Sequence, residues 1–245
     1  MDTHGMRDFL AEVARFNGQT AGRDRLFRLF QYSSHFVWYW LQKTSCRRDT
    51  VARLQNLEVL FSSGRRLLRL GRFLDSLHGA TRMVGLPDLT YRLSLTLARL
   101  GNALYILSDN LVWLHQAGLL NLRRESWSRT SNKFWLVAIV ASLSRDIAEL
   151  CRIIPPLLLS PPHTRPWKNS GLTLLRNSGL TLLRVAGLHR ALLLDLVKNL
   201  ADFWIPYSSL GHATLEPGTI GLLGVVSSVA AILPMLDPSY VLTPA

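Results

Sequence analysis

An all-α, membrane-associated protein is what this sequence predicts, with amphipathic helices at an interface and one or two helices crossing a bilayer. Three observations lead there. Apolar residues recur at helical spacing through most of the 245 residues, and no run alternates as a half-buried strand would. Pro217–Leu236, PGTIGLLGVVSSVAAILPML, carries no charge over the roughly 20 residues that a bilayer requires. A chain that is 48% hydrophobic, with mean hydropathy +0.16, nevertheless has a formal net charge of +12. All but four of its 28 basic residues are arginine. The guanidinium group grips phosphate with two prongs, so the charge points to an anionic surface, lipid headgroup or nucleic acid.

Taken in order, the stretch MDTHGMRDFLAEVARF lacks the apolar centre of a secretory signal. Arg23 to Leu41 sets Leu26, Phe27, Leu29, Phe30, Phe36, Val37, Trp38, Trp40 and Leu41 on one arc. Asp24, Arg25, Arg28, Gln31 and His35 stand opposite. A core-packing helix and an interfacial helix fit this pattern equally. Leu60 to Leu77 is sharper: Leu60, Phe61, Gly64, Leu67, Leu68, Leu70, Gly71 and Leu74 share one side, and Arg65, Arg66, Arg69 and Arg72 the other. Read as a single helix, its arginines without acidic partners one turn away favour a membrane-surface helix over a plain core helix.

Leu93, Leu97, Leu100, Leu104, Leu107, Leu111 and Leu114 step by four and three, the spacing of a helix-packing seam. Between Arg99 and Arg123 the only full charge is Asp109, so a first membrane span is the other possibility, at a cost unless Asp109 faces protein. Leu136, Val140, Leu143, Ile147, Leu150 and Ile154 form a second seam, whose uncharged part, Phe134 to Ser144, is too short to span. Pro155-Pro156 is expected to stop that helix. A proline-rich linker then leads into NSGLTLLR twice in tandem, at Asn169–Arg176 and Asn177–Arg184. Two eight-residue copies are too few for a solenoid, so a duplication tolerated in a loop is expected. Leu188 to Ile205 is helical again, with Pro206 expected to end it. In Pro217–Leu236, proline suits the first helical position. Gly221, Gly224, Ser228 and Ala231 make a small-residue face of the kind that lets membrane helices meet, here expected to join copies of the chain.

Enzyme chemistry is not in view. No phosphate-cradling glycine loop, HExxH, GxSxG or paired CxxC occurs, so neither catalytic residues, nor metal ligands, nor cofactors are assigned. The seven histidines are scattered, and Asp109, Arg145 and Asp146 suit helix packing better than catalysis. Cys46 and Cys151 make no disulfide framework, and no glycosylation sequon appears. No nucleic-acid module accompanies the basic charge, which leaves lipid as the expected anionic partner and nucleic acid excluded.

Several short segments carry a family likeness. Gln19-Thr20-Ala21-Gly22-Arg23-Asp24-Arg25-Leu26-Phe27-Arg28 with Gln31-Tyr32, Gly64-Arg65-Arg66-Leu67-Leu68-Arg69-Leu70-Gly71, and Leu104-Tyr105 with Asp109-Asn110 and Trp113 are three of them. Leu143-Ser144-Arg145-Asp146, Leu192 through Asn199, and Ile220-Gly221-Leu222 with Gly224 and Ser227-Ser228 complete the series. In this order they resemble the peroxin eleven family, and its alpha- and beta-like members in particular, over nearly the whole chain except about 151–188. The resemblance implies an integral peroxisomal membrane protein with a cytosolic N-terminus, which bends and elongates the membrane and promotes fission. It implies four regions: an amphipathic remodelling region at 1–85, a helical region with a possible first membrane segment at 86–154, a linker at 155–187, and a final helix and span at 188–245. The remodelling helix would be carried by Leu60, Phe61, Gly64, Arg65, Arg66, Leu67, Leu68, Arg69, Gly71, Arg72 and Leu74. Implied partners are anionic lipids, the chain itself and its paralogues, the import receptor peroxin nineteen, and a dynamin-like GTPase with its membrane adaptors. A metabolite pore is the alternative activity that the likeness allows.

Overall fold

The computed structural model describes residues 3–44, 48–159 and 189–242. Among these residues there are eight α-helices, one short 3₁₀ turn and no strand. They are α1 (Thr3–Gly18), α2 (Thr20–Lys43), α3 (Arg48–Leu68), α4 (Phe73–Met83), α5 (Leu89–Gln116), α6 (Arg124–Leu159), α7 (Arg190–Ser209) and α8 (Pro217–Leu236). The tandem NSGLTLLR repeats and Cys46 lie outside the described residues.

Local chemistry fixes the ends. Asp88 caps α5, accepting hydrogen bonds from the Thr90 and Tyr91 amides at 2.9 and 3.4 Å. The Arg152 guanidinium beside it, and the Thr90 amide, hold the Asp88 carboxyl below the ordinary aspartate range. Gly118 and Gly211 close α5 and α7 with φ of 77° and 87°. There the Leu119 amide reaches back to the Leu114 carbonyl and the His212 amide to that of Tyr207. Pro217 opens α8, whose bounds coincide with the uncharged stretch in the sequence.

Two of the expected helix stops do not stop a helix. Pro206 is buried inside α7, which runs on to Ser209, and α6 continues through Pro155 and Pro156 to Leu159. A helical proline forfeits one rung of the ladder, for Pro206 the bond to the Asp202 carbonyl, and the rest of the helix holds. Conversely, the single helix expected over Leu60–Leu77 is two. Gly71 has φ of 78°, which breaks the ladder between Leu68 and Phe73 and starts α4 in a new direction.

The helices close into a ring. α2 packs on α3, α3 and α4 on α5, α5 on α6, α6 on α7, α7 on α8, and α8 returns to α2. α1 lies against α2 and α8. The interior of the ring is polar: Asp24, Arg28, Arg65, Arg69, Asp109, Arg145, Asp146, Asn199 and Asp202 are buried, and Ser227 and Ser228 are wholly so. Many of the leucines face out, though Leu95 and Leu192 are buried. Leu60, Leu74 and Leu93 are 68%, 60% and 61% exposed.

The expected seams are therefore turned around. Leu93, Leu97, Leu100, Leu104 and Leu107 line the outside of α5, while Ser94, Gly101, Ala103, Ser108, Asp109 and Asn110 face its neighbours together with Leu95, Ile106 and Val112. On α6, Val140 and Ile147 point outward, and Ala138, Ala141, Arg145 and Asp146 pack. On α2, Phe30, Val37 and Trp40 are exposed and Asp24, Arg28 and Ser34 buried. Buried charge and small residues inside, beside a few large apolar side chains, with many leucines outside is a distribution that suits hydrocarbon surroundings. Among the described residues one helix, α8, is long and apolar enough to cross a membrane.

Candidate membrane-remodelling face and polar interior

The four arginines of the proposed remodelling segment point into the ring, where carboxylates from other helices meet them. Arg65 Nε lies 3.2 Å from Asp24 of α2, and its Nη1 donates to Gln31 at 2.7 Å. Arg66 donates to Asp109 of α5 at 3.0 Å and to Gln116 at 2.9 Å. Arg69 donates to Asp109 at 2.7 Å and to the Tyr105 hydroxyl at 2.6 Å, with its guanidinium over the Tyr105 ring. Arg72, in the turn, lies 3.8 Å from Asp24. Two carboxylates thus hold four arginines and tie the α3–turn–α4 segment to α2 and α5. Buried pairs of this kind contribute little net stability, but leaving one partner unpaired is costly.

The apolar members divide. Leu60, Leu67, Leu70 and Leu74 are exposed on the outer face. Phe61 stands against Phe27 and Phe30, both at 5.4 Å between ring centroids, and Leu68 is half-buried. Gly64 makes room for Phe27, whose ring would lie 3.0 Å from a Cβ there. The segment therefore presents leucine to the surroundings and guanidinium to the protein.

The small-residue face of α8 is filled by α2 of the same chain. A Cβ at Gly221 would sit 2.8 Å from the Phe36 amide nitrogen, and one at Gly218 or Gly224 would fall inside the Tyr39 or Tyr32 ring contact. Ser228 bonds back to the Gly224 carbonyl at 2.6 Å, and Ala231 is buried. Gly221, Gly224, Ser228 and Ala231 were expected to meet a second copy; here they seat a neighbouring helix and its aromatic rings. The Tyr39 hydroxyl and Lys43 cap the entry of α8 through Glu216, at 2.5 and 3.3 Å, and hold its carboxyl below the ordinary glutamate range.

Sequence reasoning missed the partners. Arg28 of α2 pairs with Asp202 of α7, which also accepts from Ser227 of α8, so one carboxylate joins three helices. Arg145 of α6 pairs with Asp195 of α7 at 2.8 Å, and Asn199 donates to Asp146 at 2.7 Å. The available signal was a lone acidic residue within an otherwise apolar or basic stretch, at 24, 109 and 202. Among the described residues no group of His, Cys, Asp and Glu is arranged to hold a metal ion. Two polar cavities of about 400 and 210 Å³ lie inside the ring and share Arg65, Arg69, Tyr105 and Trp135 as walls.

Comparison with known proteins matches the chain from residue 10 to 236 to the family model of peroxisomal biogenesis factor 11. The chain belongs to the peroxisomal biogenesis factor 11 family. Within it, the human Peroxisomal membrane protein 11B is 34% identical, with 94% of this chain and 98% of the relative covered. The human Peroxisomal membrane protein 11A is 32% identical over 91% of this chain and 95% of the relative. Peroxisomal membrane protein PMP30A of Candida boidinii is 26% identical over 91% and 92%. No solved structure matches this member of the peroxisomal biogenesis factor 11 family.

Proposed function

We propose that this chain is an integral protein of the peroxisomal membrane, with its N-terminus in the cytosol, that elongates the membrane ahead of fission. The observation that carries the proposal is the outward leucine face on either side of the Gly71 turn. Leu60, Leu67, Leu70 and Leu74 stand on a base clamped by Asp24 and Asp109, so they enter one leaflet as a rigid wedge. The arginines brace the wedge from behind, where the sequence pattern had them facing lipid phosphates. Oligomers with itself and its paralogues, delivery by peroxin nineteen, and recruitment of a dynamin-like GTPase through its adaptors complete the proposed role.

Burying a leucine side chain contributes about 1.5–3 kcal/mol. Leu67→Glu with Leu74→Glu is expected to abolish elongation of peroxisomes in cells while the protein stays in carbonate-washed peroxisomal membranes. Normal elongation by that variant would sink the wedge. Anchorage itself is tested separately on α8, which is only one-third buried against the rest of the chain. A charge at the centre of a span costs roughly 2.5–3.5 kcal/mol on insertion scales, so Val226→Arg is expected to release the protein into the carbonate supernatant.

Passage of small polar solutes is a second proposed activity, favoured by the cavities inside the ring. Conductance of the purified protein in planar bilayers tests it.

A further inference from the structure

The larger cavity is bounded by α2, α3, α5, α6 and α7, and its charge does not balance. Eight cationic side chains line it against three carboxylates, Asp24, Asp195 and Asp202. Asp109 and Asp146 approach Arg69 and Arg145 from beyond the lining. Counting those two as well still leaves positive charge in excess by three. Asp202 serves Arg28, Asp24 is shared by Arg65, Arg69 and Arg72, and Asp195 is shared by Arg145 and Lys198.

Arg25 and Arg99 are left over. Both line the cavity, and neither has an ion pair or a hydrogen bond among the described residues. Arg25 is attracted at longer range by Asp24 and Asp202 but repelled by Arg28 and Arg65. Arg28, 5% exposed and in the same wall, keeps a buried Nε with no partner. Two guanidinium groups without acceptors, and a third with one buried N–H unmatched, around one space form an anion site by their chemistry. Leu95, Ala98 and Ile106 of α5 add apolar lining that would lie against a carbon skeleton. The volume, about 400 Å³, is in the range of small-ligand sites.

We infer that the ring binds a multiply charged phosphate or polycarboxylate anion in this cavity, with Arg25, Arg28 and Arg99 as its donors. A soluble organic anion and a phospholipid headgroup share this chemistry. The inference rests on the proposed passage of small polar solutes only for access to the cavity, and binding without conductance would leave the site standing while removing the pore.

The test uses the full-length protein in neutral detergent, with radiolabelled pyrophosphate as the probe in equilibrium dialysis. Saturable binding is expected, and losing a charged hydrogen-bond donor in Arg25→Gln should weaken it about tenfold or more. Ser142→Glu, which places a carboxylate on the cavity wall, should do the same; Leu93→Gln, on the outer face, should not. In a second arm, anionic phospholipid retained through purification is quantified. A headgroup in the site predicts less retained lipid in Arg25→Gln, and pyrophosphate binding only after delipidation. Either arm supports the site and identifies the source of the anion. If both variants keep wild-type helicity and neither arm distinguishes them from wild type, the site is overturned.

Discussion

Replacing Asp202 by leucine is expected to cost the folded protein about 3–5 kcal/mol, the range for a buried charge deprived of its partner. Arg28 is 5% exposed, and Asp202 is its one ion-pair partner among the described residues. Ser227, wholly buried, would lose its acceptor in the same step. Denaturant unfolding in mild detergent measures the loss. Arg28→Met combined with Asp202→Leu should recover most of it, because an apolar pair of similar volume removes the stranded charge along with its partner. If Asp202→Leu alone unfolds at the wild-type midpoint, the polar interior described here is wrong.

Gly224→Leu is the second large effect, expected to destabilise the fold by about 3 kcal/mol, the upper end for overpacking. Even a β-carbon at 224 would invade the Tyr32 ring, and leucine extends further along the same line. The substitution raises the apolarity of α8, so retention in carbonate-washed membranes should be unchanged while the unfolding midpoint falls. Loss of crosslinked dimers with an unaltered midpoint would return the small-residue face to a second copy of the chain.

These two sites show what the sequence made legible. Helices could be placed because periodicity is local, and Pro217–Leu236 was delimited by charge alone. Which side of a helix faces inward is not local. The leucine stripe of α5 is present as read, but a stripe records only that two faces differ, and a packing seam and a lipid-facing row look the same in sequence. Arg65, Arg66 and Arg69 are separated from their carboxylates by 41, 43 and 40 positions, so a search one turn away found none. The break at Gly71 was hidden for another reason. Glycine fits an apolar face by its size, and its positive φ becomes evident only in the folded backbone. The prolines misled in the opposite direction, since burial and neighbouring contacts sustain a helix that propensity would terminate.

Arg28 and Asp202 are 174 positions apart, and the helix that seats α2 from the other side, α8, follows all the other described α-helices in the chain. A growing chain therefore releases α2 with its guanidinium and its row of aromatic rings long before their partners exist. Contacts of such long separation form slowly, and for that interval the face destined for the interior stands exposed. Premature burial of α2 in lipid would strand Arg28 without an acceptor, whereas premature exposure to water would strand the leucines of α3 and α5. Under the proposed role, the soluble import receptor would have to hold both kinds of face through that interval, until α8 is available to seat α2.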